Sequence, residues 1–182
     1  GFNKLNTYVN GYSKDKNKIN NIIDDIENNR NISYNDKKIN IRNILREANL
    51  VTLSVGIIDL LDGISIEDIK NKGLINQRVD EITLNFEKLI IELKKYSKNQ
   101  IIVIGFYNPF PYLVDYKEDI DIMIKYLNKK YEEICKMNNV DFVDIFYSFD
   151  GRVDYLPNPL SINPNTFGYN AIFENVIKYI DI

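Results

Sequence analysis

The chain reads as a three-layer α/β/α domain built on a parallel sheet. Three short apolar runs rich in β-branched residues, Leu50 to Val55, Gln100 to Phe106 and Val140 to Phe146, have the composition of strands buried on both faces. Between them stand segments with helical apolar spacing, the alternation that produces crossover βαβ units of one hand. At 182 residues with 45% hydrophobic content, the chain can bury one sizeable core, so a single domain over 1–182 is expected.

Leu5 to Tyr12 mixes β-formers with polar residues and suits an exposed or edge strand. From Asn17 to Asn29 the residues Ile19, Ile22, Ile23 and Ile26 recur at helical spacing, and Asn28-Asn29 supplies a stop. Ile32 to Asn40 reads as a polar excursion, and Ile41 to Glu47 as a short amphipathic helix leading into the first buried strand. Asp62 to Gly73 is a connection with its own short turn of helix. The clearest helix follows, with Ile75, Val79, Ile82, Phe86, Leu89, Ile90 and Leu93 at three- and four-residue steps up to Tyr96. Lys117 to Met137 carries Ile120, Met123, Ile124, Leu127, Tyr131, Ile134 and Cys135 on one side, and Asn138-Asn139 ends it. Tyr155 to Asn165 is a proline-punctuated loop before a closing helix, Tyr169 to Ile180.

The net charge of −3, with both signs interspersed, argues against a nucleic-acid surface. No apolar run approaches the roughly 18 residues of a membrane span, and Gly1 to Lys4 does not read as the start of a signal peptide. The lone Cys135, on an apolar helical face, is expected to be a buried inert thiol. No cofactor motif is present. Asp150 to Asp154 has a loose calcium-loop flavour without the ligand spacing of one, so no metal is expected. The Asn, Ile, Lys and Tyr bias is that of an AT-rich bacterial coding sequence and carries no function.

In open parallel sheets, ligands sit outside the carboxyl ends of the strands. Gly56 to Asp59 and Gly105 to Phe110 are therefore where a crevice is expected, and Asn108, preceding Pro109, suits either a site amide or a plain turn. Asp59 reads more simply as a residue that caps the following helix or ties down the loop than as a catalytic carboxylate.

Three stretches resemble the SGNH (GDSL-type) esterases and lipases. Ala48-Asn-Leu-Val-Thr-Leu-Ser-Val-Gly-Ile-Ile-Asp-Leu60 is similar to that family's third block, Gly105-Phe-Tyr-Asn-Pro-Phe110 to the segment after its fourth strand, and Pro164-Asn-Thr-Phe-Gly-Tyr169 to half of its last block. The resemblance implies a flavodoxin-like sheet, ester hydrolysis, and export or surface attachment, and nearly the whole chain aligns. It also exposes losses. Ile58 stands where the family places its oxyanion-hole asparagine, Leu160 where it places the orienting aspartate, and Asn163 where it places the histidine, with Ser161 between them. The second-block glycine falls on Lys16 or, with another gap, on Gly11. The chain contains no histidine and no Gly-Asp-Ser, so the catalytic set is empty.

On this reading the chain is a pseudoenzyme. Its candidate crevice is Gly56, Ile58, Asp59, Asn108, Ser161 and Asn163, open to a small-molecule, acyl, glycan or protein ligand. The alternative is an active esterase completed by residues outside the chain, and a third is a structural role. The family order further implies that a first strand is missing beside Leu50 to Val55. That gap is closed either by an upstream segment or by direct pairing with Leu5 to Tyr12.

Overall fold

In a computed structural model, the described residues are 17–34, 37–159 and 161–180. The expected strand at Leu5 to Tyr12, Gly11, Lys16 and Leu160 lie outside them. The order is α1 (Ile19–Glu27), β1 (Asn31–Tyr34), β2 (Lys37–Asn40), α2 (Ile41–Glu47), β3 (Leu50–Leu53), α3 (Ile57–Leu61), α4 (Lys72–Tyr96), β4 (Gln100–Ile104), α5 (Lys117–Met137), β5 (Asp141–Val143), α6 (Phe146–Phe149) and α7 (Thr166–Val176). Single 3₁₀ turns at Glu67–Lys70, Val114–Tyr116, Val153–Tyr155 and Ile177–Tyr179 join them.

β3, β4 and β5 form a parallel sheet in that spatial order, with Val51 opposite Ile101, Leu53 opposite Val103, and Val103 opposite Phe142. Because side chains alternate along a strand, this register sorts them onto two faces. Leu53, Ile101 and Val103 belong to the larger buried cluster, built with α1, α2, α4 and α5. Ile102 and Val143, flanked by Leu50 and Ile104, belong to the smaller one, built with Phe149, Leu156 and Val176. Two clusters on opposite faces of one sheet make the three layers that the alternating pattern predicted. Phe86, Leu89 and Ile90 of α4 and Leu127 and Tyr131 of α5 are fully buried, each side chain contributing about 1.5–3 kcal/mol by leaving water.

Two helices end alike. Asn29 and Asn139 adopt left-handed backbone, with φ of 50° and 51°. Past each, an amide reaches back five residues, Arg30 to the Asp25 carbonyl and Val140 to the Cys135 carbonyl, both at 2.9 Å. These are Schellman closures, and asparagine serves because its short polar side chain tolerates that conformation.

The polar excursion expected at Ile32 to Asn40 is instead an antiparallel hairpin of β1 and β2, pairing Ile32 with Ile39. Ile32 is buried against the main core and anchors the ribbon there. The strands are also shorter than expected. β3 stops at Leu53 and β5 at Val143, where the Asp144 carboxylate accepts from the Phe146 amide at 2.8 Å and turns the chain into α6. The closing helix begins three residues before Tyr169, because Asn165 caps it there.

Candidate functional site

The carboxyl ends of β3 and β4 present the segments that the sequence singled out. After β3 the backbone turns at Gly56, whose φ of 115° favours glycine. A Cβ at this position would also lie 2.1 Å from the Tyr131 hydroxyl. That hydroxyl donates to the Val55 carbonyl at 3.1 Å, and its ring stacks on Phe86 at 3.7 Å between centroids. Burial pushes the Tyr131 phenol well above its usual range, so it stays a neutral donor. The turn is thus built on a buried tyrosine supplied 75 residues downstream by α5.

On α3, Ile57 and Leu61 pack on the core, whereas Ile58 is half-buried outside it. Asp59 points to α1: both carboxylate oxygens lie 3.3 Å from the Ile19 amide, the first N–H of that helix. Lys18 pairs with Asp62 at 2.6 Å alongside. Asp59 thus joins its loop to α1, facing the start of that earlier helix although it lies in the first turn of α3. A carboxylate at a helix N-terminus is electrostatically favourable. Burial nevertheless raises its pKa, against the Ile19 hydrogen bond and the charges of Lys18 and Arg78.

After β4, the turn at Gly105-Phe106 is clamped by Asn128 of α5. Its buried side-chain amide accepts from the Phe106 N–H and donates to the Phe106 carbonyl, both at 2.8 Å. Asn108 is engaged likewise, its oxygen accepting from the Phe110 amide at 2.9 Å and its nitrogen donating to Asp121 at 2.7 Å. Its side chain therefore both forms the turn and borders the small cavity beside Asp121. Lys117 bridges Asp121 at 2.6 Å and Asp150 at 3.3 Å. The cavity of about 20 Å³ lined by these groups with Phe146 and Phe149 has room for about one water.

The last loop is fastened to the end of β4 by Tyr107, whose hydroxyl donates to the Ile162 carbonyl at 2.7 Å while its ring stacks on Phe149 at 3.9 Å. Ser161 accepts from the Asn163 amide at 3.1 Å, and the Asn163 side chain is exposed. The Pro-Asn-x-x-Gly-Tyr segment has a structural explanation. Asn165 accepts from the Phe167 and Gly168 amides at 3.0 and 3.1 Å, capping α7, and its nitrogen donates to the Asp154 carbonyl at 2.8 Å. Any Cβ on Gly168 would lie 2.5 Å from Pro164.

Two groupings result. Gly56 and Asp59 lie on the turn after β3, held by Tyr131 of α5 and by the start of α1, while Asn108 is tied to Asp121 of α5 and the Ser161–Asn163 loop to Tyr107. Among the described residues, no hydrogen bond joins Asn163 to the Gly56–Asp59 turn. Asp150 and Asp154, the termini of the loose calcium-loop stretch, are engaged by Lys117 and by Arg152 at 2.8–2.9 Å. Tyr131, Asn128 and Tyr107 were missed as site-forming residues. Periodicity places Tyr131 and Asn128 on α5 but says nothing of what their polar atoms reach.

Residues 12–171 match the model of the GDSL-like Lipase/Acylhydrolase family. No curated protein matches the chain. Among solved structures, a lipase from goat rumen metagenome superposes with a TM-score of 0.64 at 19% identity, over 76% of this chain and 67% of that one. An extracellular lipase from Streptomyces rimosus gives 0.60 at 14%, over 87% and 76%. An acetylxylan esterase from Geobacillus stearothermophilus gives 0.57 at 16%, over 90% and 67%. At these identities the superpositions establish the shared α/β/α fold.

Proposed function

The chain belongs to the GDSL-like lipase/acylhydrolase family, and from that membership we propose that it is a non-hydrolysing member, a pseudoenzyme that keeps the scaffold and uses its carboxyl edge for binding. The observation that carries this reading is the absence of any histidine in 182 residues, with Asn163 at the family position of the base. An asparagine amide does not take up a proton near neutral pH, so a serine hydroxyl beside it would not be activated. Ile58 at the oxyanion position has no N–H or O–H on its side chain to offer a developing negative charge. Asp59, the retained acid of the third block, is held by the α1 terminus.

Serine hydrolysis needs nucleophile, base, orienter and oxyanion donors acting as one unit, and losing any one forfeits several powers of ten in rate. Retained Gly56, Pro164 and Gly168 are accounted for by the backbone turn and close packing, which a binding scaffold needs as much as an enzyme does. The ligand classes consistent with this edge are small acyl or glycan groups or a protein segment. A short-chain p-nitrophenyl ester series with the purified chain tests the reading. No turnover above a heat-killed control is expected; turnover abolished by a serine-directed fluorophosphonate would establish an active esterase instead.

A further inference from the structure

Against Phe146, which also lines the small Lys117 cavity, α5 and the β5–α6 turn form an open recess of about 160 Å³. Its α5 wall is the stripe Lys125, Asn128, Lys129 and Glu132, and its other wall is Phe142, Asp144 and Tyr147. Among the described residues neither Lys125 nor Lys129 forms an ion pair. The Lys125 ammonium is nevertheless placed, 4.7 Å from the Phe146 ring centroid and 5.5 Å from that of Tyr147. Tyr147 is 71% exposed, an unusually open aromatic for a residue bordering a concave surface.

We propose that this recess binds a sugar acid, a single hydroxylated ring bearing one carboxylate. Two unpaired lysines one helical turn apart can take the carboxylate between them. Tyr147 offers an apolar surface for the ring. Asp144 and Glu132 accept hydrogen bonds only, so they favour a ligand rich in hydroxyl donors and repel one whose face is a second anion or a bare π-system. The recess is several times larger than the water-sized Lys117 cavity and open to solvent, so a single ring can enter it. The recess adjoins the carboxyl edge and shares Asn128 and Phe146 with the groups described above, but the proposal does not rest on the loss of hydrolytic chemistry there.

The test is an amide-resolved NMR titration of the full chain with sodium glucuronate, beside glucose, benzoate and inorganic phosphate. Saturable shifts confined to Lys125, Lys129, Asp144, Tyr147 and their neighbours are expected for glucuronate, with glucose and benzoate at least roughly tenfold weaker. The Lys125→Gln, Lys129→Gln double variant, altered only at exposed positions, should weaken glucuronate by about tenfold or more while the remaining spectrum is unchanged. Equal binding of phosphate or benzoate, shifts elsewhere, or no saturable shift would each overturn the proposal.

Discussion

Gly56 and Tyr131 constrain one another. A methyl group at Gly56 meets the tyrosine hydroxyl at 2.1 Å and the left-handed backbone penalises any side chain, so Gly56→Ala is expected to destabilise by more than about 2 kcal/mol. Tyr131→Phe removes the overlapping atom but leaves the Val55 carbonyl without its donor, a milder loss of about 1–3 kcal/mol. The double variant should then be less destabilised than the sum, by roughly 0.5–3 kcal/mol, in a denaturant double-mutant cycle. Additive losses would show that the hydroxyl is not what forbids the methyl. Asp59 gives a pH signature at the same scale. Its carboxyl binds a proton more tightly in the folded state than its ordinary pKa of 3.8 would give. Its contribution to stability therefore falls as pH rises from 3.8 through the raised folded value. Asp59→Asn, which keeps an acceptor for Ile19, should flatten that decline in denaturant midpoints measured across acid pH. Cys135, with its thiol pushed up to about 12 mainly by burial, should react with a thiol reagent only on unfolding.

At the scale of elements, the Schellman closures explain why asparagine pairs stop α1 and α5 where the sequence places those stops. Asn139→Val should cost about 1–2 kcal/mol, since a β-branched side chain resists left-handed backbone, and Asn139→Gly should be neutral or stabilising. Thermal midpoints of the two variants moving together would contradict this account. Long periodic helices were legible because four or more buried positions repeat in each. The α2 and α5 boundaries coincide with the expected ones, and α4 begins three residues before the first periodic isoleucine because Asn71 caps it. The β1–β2 hairpin was not legible, since among its residues with described burial only Ile32 is buried, and a single anchor makes no period. The early start of α7 was readable in principle from Asn165, a capping residue directly before Thr166. Strand ends were overrun because apolar residues continue past the last ladder hydrogen bond into turns that also face the core, as Val55 and Phe106 do.

For the whole molecule, sheet direction and layering followed from order and periodicity, because parallel strands with helical crossovers admit few arrangements. The candidate edge was legible only in outline. Gly56, Asn108 and Asn163 lie after β3, after β4 and in the last loop, yet what holds these segments is tertiary: Tyr131 against Gly56, Asp121 on Asn108, and Tyr107 on the Ile162 carbonyl beside Asn163. Such contacts leave no local period. The central claim is that this edge lacks an activated nucleophile, and intact-mass analysis of the native chain after incubation with a fluorophosphonate tests it directly. An unchanged mass, with a serine hydrolase in the same tube fully labelled, is the result expected. A stoichiometric adduct on one serine of the folded chain, absent after denaturation beforehand, would contradict it.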